Sequence, residues 1–180
     1  MMKYAYYYFT MEPYMFESWA KTVDNAHLLG YGLASTNGFS FAVLYVLKNL
    51  ARLGSYPEFW HSINTIIGKT ETEWQVISAF GSSANAYVSL FWYFYLDGRI
   101  FGIILGMALY GAISVSSFWT AIKNMSARTL CVYSFIIQGL LMSFVRFQFA
   151  NLGYAIAFVM IIFIYKKGSR STVVRAIKIA

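Results

Sequence analysis

Between Ile100 and Ile122 the chain reads IFGIILGMALYGAISVSSFWTAI, without one charged residue. At about 1.5 Å per residue, a helix of this length crosses the roughly 30 Å hydrocarbon core of a bilayer. The solvent around this run, helix A, must be partly lipid. Gly98, Gly102 and Gly106 recur at small-xxx-small spacing, with Gly111 further on, which lets a second helix backbone approach. The rest of the composition agrees with a membrane setting. Of 180 residues, 59% are apolar and 20% aromatic, while only 12% are charged, the wrong balance for a soluble domain.

Charge gives the run a direction. All seven acids (Glu12, Glu17, Asp24, Glu58, Glu71, Glu73 and Asp97) precede Gly98. Up to Asp97 five Lys/Arg minus seven acids leaves −2; beyond it nine basic residues face no acid, so +9 − 2 gives the formal +7. Bases placed between and after apolar runs follow the positive-inside pattern, and do not form the clustered patch of a nucleic-acid binder. Lys123 and Arg128 close a short loop after helix A. Helix B is expected at about 129–147 and helix C at about 150–165. The chain thus reads as an all-α integral membrane protein with about three transmembrane helices. Its loop 123–128 and its C-terminus lie on the cytoplasmic side of the membrane, and residues before 98 lie outside. Residues 1–97 form an extracytoplasmic region, 98–167 the transmembrane region and 168–180 a basic tail.

Within residues 1–97, the uncharged stretch from Leu28 is broken by Gly30, Gly32, Ser35, Asn37 and Gly38. Its apolar part, Phe39–Leu47, is too short to span; with Lys48 and Arg52 it predicts an interfacial helix over about 39–53. The aromatic run AYVSLFWYFYL predicts a second, over about 86–96, turning into helix A at Gly98. The apolar stretch after Lys3, Tyr4–Phe9, is shorter than a signal-peptide core. Exporting a polar region of roughly a hundred residues ordinarily needs preceding helices. The expectation is therefore that the chain is the C-terminal part of a larger membrane protein; the rival is that helix A translocates its own N-terminus. Cys131 is the sole cysteine, which excludes an intrachain disulfide and a Cys-based zinc site.

The order of parts resembles a known family. A Tyr-rich, Gly-broken segment (YYYFTMEPYMFESWAKTVDNAHLLGYGLASTNGFSF), a short apolar helix, the turn FYLDGRIFGIILG and two closing helices look like the C-terminal half of the bacterial oligosaccharide repeat-unit polymerases, the O-antigen or Wzy type. In that family an Asp-Phe-Gly-x-x-Gly turn opens a late transmembrane helix. Asp97-Gly98-Arg99-Ile100-Phe101-Gly102 is similar, with Gly98 and Arg99 where Phe and Gly would stand. The resemblance implies a membrane glycosyltransferase without cofactor, metal or nucleotide-sugar donor. It would move a glycan from one undecaprenyl diphosphate onto a repeat unit carried by another, on the outer face. Membrane lipids and a polysaccharide chain-length regulator would be its partners, with no nucleic acid.

Such chemistry needs cations for a diphosphate leaving group and a carboxylate or His to take a proton from the attacking hydroxyl. The cation candidates are Arg146, Arg52, Arg99 and Lys21, with Lys48 one turn before Arg52. Each has a plainer reading. Arg146 can sit at the far interface, about 27 Å from Arg128. Arg99 can pair locally with Asp97, and Arg52 can meet lipid headgroups. The base candidates are Asp24, His27 and Glu17, which with Lys21 share a face if KTVDNAH is helical. Their plainer reading is a solvated loop face. No P-loop, Gly-x-Gly-x-x-Gly, Gly-x-Ser-x-Gly or His-Glu-x-x-His is present. Two other functions compete: a segment of a lipid-linked glycan transporter or flippase, and an inactive small membrane protein from a truncated gene. A transporter predicts ionisable groups at the midplane of its helices, and the closing helices lack them.

Overall fold

The computed structural model describes residues 2–52, 54–76, 83–84 and 88–164. The order is α1 (Met2–Asn25), α2 (Asn37–Leu50), α3 (Glu58–Thr72), β1 (Gln75–Val76), β2 (Ser83–Ala84), α4 (Leu90–Lys123), α5 (Ala127–Met142), a 3-10 turn (Gln148–Ala150) and α6 (Leu152–Ile164). The strands form a two-residue antiparallel pair, and everything else regular among the described residues is helical. The basic tail 168–180 lies outside the described residues.

Helix A is contained in α4, which is 34 residues long and, among the described residues, the one helix long and apolar enough to cross a membrane. Ile100, Phe101, Ile104, Leu105 and Leu109 are 59–77% exposed, so this apolar face finds no cover among the described residues. The aromatic run does turn into helix A at Gly98. Helical structure resumes on both sides of the joint, yet Gly98 (φ −160, ψ 25) and Arg99 (φ 55, ψ −142) are themselves non-helical. The aromatic helix starts at Leu90, and residues 86 and 87 of the expected range lie outside the described residues.

The kink folds the first part of α4 back on the second. A Cβ at Gly102 would run into the Phe94 carbonyl, and one at Gly106 would lie 2.5 Å from the Phe94 ring. The glycine spacing therefore receives a neighbouring turn of the same helix, where the sequence pattern predicts a separate one. The free carbonyls at the kink, Leu96 and Asp97, accept the N–H groups of Gly30 and Tyr31 at 2.8 and 3.1 Å. The Asp97 carboxylate meanwhile accepts from Ala34 N and Ser35 N at 2.9 and 2.8 Å. The expected local pair between Asp97 and Arg99 does not form. Asp97 is 8% exposed and engaged by loop backbone, and the positive φ of Arg99 sends its side chain to α1.

α5 has 16 residues, against an expected range of 129–147, and α6 has 13 described residues against an expected 150–165, of which residue 165 lies outside the described residues. They measure about 24 and 20 Å. α5 opens with a capping box between Ser126 and Thr129 and closes where Ser143 Oγ donates to Leu140 O at 2.6 Å. Ser143 O then accepts Leu90 N at 2.9 Å, satisfying an orphan donor at the start of α4. Leaving the helix here carries Phe147 into the core, where its ring lies 5.4–5.9 Å from those of Tyr93, Phe94 and Tyr110. Such aromatic pairs contribute about 0.5–1.5 kcal/mol each beyond area burial.

Residues before 90 hold more helix than the sequence pattern predicts. α2 begins two residues before the expected 39–53 range and ends at Leu50. α1 and α3 lie in the stretch expected to be extramembrane loop. α1 buries Met15, Trp19 and Val23, spaced four apart, in the same cluster as Leu90, Trp92 and Leu96 of α4. α3 buries Trp60, Ile63, Ile66, Ile67 and Thr70, a 3.6-residue stripe obscured by the charges of Glu58, Lys69 and Glu71. Gly38 lets α2 reach the 3-10 turn, since a Cβ there would meet the carbonyls of Asn151 and Phe149 at 2.5 and 2.6 Å.

Candidate functional site

Arg146 leaves the turn after α5 and forms an ion pair with Glu71 on the last turn of α3, 75 residues earlier. Both side chains are partly buried, at 26% and 32% exposure. Arg146 thus has a specific carboxylate partner, and Glu71, absent from the sequence-derived candidates, joins the site. Around the pair lies a cavity of about 250 Å³ lined also by Asn37, Phe41, Asn64, Tyr93 and Asn151. The Tyr93 hydroxyl lies in the field of both charges. Asn37 is 8% exposed, and its Oδ1 has no hydrogen-bond donor among the described residues. Such a buried acceptor is costly unless something supplies a donor.

The wall of this cavity is segment 146–151 together with the start of α2. Arg146, Ala150 and Asn151 face the polar cavity, while Phe147 and Phe149 face an apolar groove of about 570 Å³. That groove follows α4 along Phe101, Leu105, Leu109 and Ile113. Likewise Asn37 lines the polar side and Thr36 and Phe39 the apolar side. One stretch of chain thereby separates a charged, amide-rich cavity from a groove open along the apolar helix.

The other candidates fall into separate places. Arg99 Nε lies 3.2 Å from Asp24 Oδ1, and its Nη2 donates to Val23 O at 3.3 Å. The Tyr95 hydroxyl donates to Asp24 Oδ2 at 2.9 Å, and the Arg99 guanidinium stands 5.3 Å from the Tyr95 ring. Asp24 and Arg99 together tether α1 to the kink of α4. Glu17 and Lys21 form an exposed i,i+4 pair at 2.6 Å. The hydrogen bond from Lys21, reinforced by its charge, holds the Glu17 carboxyl below the usual carboxylate range. His27 stands apart from that face, because α1 ends at Asn25 and His27 takes φ 49. Arg52 is exposed with φ 50, and Lys48 Nζ sits 4.3 Å from the Tyr56 ring. Of the seven sequence-derived site residues, only Arg146 lines the polar cavity.

Compared with models of protein families, with curated proteins and with solved structures, the chain matches none.

Proposed function

We propose that this chain is a multi-pass membrane protein acting on lipid-linked oligosaccharide, as a repeat-unit polymerase or part of one, with the Arg146–Glu71 cavity as its reacting site. One observation carries the reading: an ion-paired, amide-lined cavity and an uncovered apolar groove share the wall 146–151. A ligand that fits both is amphipathic, with hydroxyls for Asn37, Asn64 and Asn151 and a hydrocarbon chain for the groove along α4. The exposed apolar face of α4 supports burial in lipid, with α5 and α6 as the shorter remaining spans and the 123–128 loop on the cytoplasmic face.

In this reading Glu71 takes the proton of an acceptor-sugar hydroxyl as its oxygen bonds the anomeric carbon of the donor glycan. The bond from that carbon to the diphosphate oxygen breaks, and Arg146 balances the charge left on the diphosphate. The resting ion pair holds both groups oriented until substrate separates them. Asp24, Glu17 and Lys21 lie outside this step, and Arg99 acts on the kink.

The test supplies undecaprenyl-diphosphate-linked repeat units to membranes carrying the full chain and resolves products on a gel. A ladder is expected from the parent chain, collapsing to single repeats in Arg146→Ala and Glu71→Gln. Unchanged ladders in both variants would remove the cavity from the chemistry, and no product beyond one repeat from the parent chain would remove the polymerase reading.

A further inference from the structure

A second cavity, about 690 Å³, lies between α4 and α5 at the opposite end of α4 from the kink. Its composition is graded. Arg128, Ser117 and Thr120 line one end, and Leu109, Ile113 and Phe158 the other. Arg128 sits in the first turn of α5, where the helix dipole disfavours a cation, so helix stability does not account for it. No acid follows Asp97 in the sequence, and among the described residues Arg128 forms no ion pair. Half-buried in the cavity lining, the guanidinium is open to an anion from outside the described residues.

The hydroxyls narrow its identity. Ser117 Oγ donates to Ser114 O at 2.8 Å and Thr120 Oγ1 to Ser116 O at 2.7 Å. These two hydroxyls have thus committed their protons and present lone pairs alone to the cavity. A bare anion gains nothing from them and is left with Arg128 and the Ser116 hydroxyl. A head group with its own hydroxyl donors beside a phosphate satisfies both Arg128 and these acceptors, and an acyl chain fits the apolar end.

We propose that this cavity binds an anionic phospholipid with a hydroxylated head group, of the phosphatidylglycerol kind, seating its phosphate on Arg128. The proposal rests on the membrane part of the reading above and is independent of the glycan chemistry. The full chain, purified in mild detergent and delipidated, is titrated by native mass spectrometry with phosphatidylglycerol, phosphatidylcholine and, separately, inorganic phosphate. Phosphatidylglycerol is expected to bind about tenfold more tightly than phosphatidylcholine, which carries the same phosphate but a quaternary ammonium, repelled by Arg128, in place of the hydroxyls. Arg128→Gln should weaken both lipids and shrink that preference, while Lys123→Ala, outside the cavity lining, should keep it.

Equal affinity for the two lipids, or a preference undiminished in Arg128→Gln, overturns the site. Inorganic phosphate binding as tightly as the lipid also overturns it, in favour of a free-anion site. Far-ultraviolet circular dichroism of Arg128→Gln, matching the parent chain, confirms that a lost preference reflects the missing guanidinium; if the variant is misfolded, Arg128→Lys replaces it and should reduce the preference. Carbonate extraction of cell membranes separates the two claims. Release of the chain sinks the membrane reading and this site together, whereas retention without lipid preference sinks this site alone.

Discussion

Asp97 Oδ1 accepts the backbone N–H of Ala34 at 2.9 Å across 63 residues of chain, while its Oδ2 takes Ser35 N at 2.8 Å. One carboxylate thereby orders the turn leading into α2 and fixes the kink of α4 beneath it. Asp97→Ala leaves both donors without this acceptor and is expected to destabilise the fold by about 3 kcal/mol. Asp97→Asn keeps one oxygen and should cost about half of that. Thermal unfolding in detergent, followed by circular dichroism, ranks the variants; equal stability for Ala and the parent would show that the loop is held by other contacts.

Gly30 makes that approach possible, because a Cβ there would overlap Asp97 Oδ1. Gly30→Ala is expected to cost about 2 kcal/mol by displacing the carboxylate. Since both substitutions break the same contact, the double variant with Asp97→Ala should fall short of the sum by about 1 kcal/mol or more. A strictly additive cycle in the same unfolding assay counts against the coupling.

Arg99 stands at φ 55 and ψ −142, a conformation strained for any residue with a side chain. Relief of such strain amounts to about 1–3 kcal/mol. Arg99→Ala loses the Asp24 pair and retains the strain; Arg99→Gly loses the pair and releases it. The glycine variant should therefore melt higher than the alanine variant. Asp24→Asn, which removes only a partly exposed pair, should cost about 1 kcal/mol or less.

Gly106→Ala places a methyl group 2.5 Å from the Phe94 ring. A loss of about 1–3 kcal/mol is expected, with partial rescue by Phe94→Leu. Because the contact lies within one chain, light scattering should show the same mass for Gly106→Ala and the parent chain in detergent. A change in oligomeric state would instead return the glycine stripe to its role between separate molecules.

Lys21 lowers the Glu17 pKa beneath its ordinary 4.5. A depressed folded-state pKa means that the pair's contribution is present above the unfolded carboxylate pKa and fades as pH falls through the folded value. In carbon-detected NMR of the side-chain carboxyl, Lys21→Ala should move the Glu17 midpoint up toward 4.5. An unmoved midpoint would mean that the pair is not populated in solution.

Helix A is legible in the sequence because its cause is local: an uncharged run longer than a bilayer core declares itself residue by residue. The break at Gly98 is legible too, since Asp-Gly at the end of an aromatic run interrupts helical continuity. The stripes of Met15, Trp19 and Val23 and of Trp60, Ile63 and Ile67 are present in the sequence, but short amphipathic patterns among charges do not reveal that they have a partner to bury against. Arg146 can be singled out as an isolated charge; its pairing with Glu71 cannot, because that depends on where α3 lands. Asp97 follows the same logic, its chain neighbour Arg99 offering a local partner while the fold supplies two backbone donors from the loop before α2. Sequence alone determined the apolar span, the charge asymmetry and the position of the kink, all properties of contiguous residues. Tertiary structure decided which charges meet, what the glycines touch and where a polar cavity borders an apolar groove, because each depends on elements brought together from distant parts of the chain.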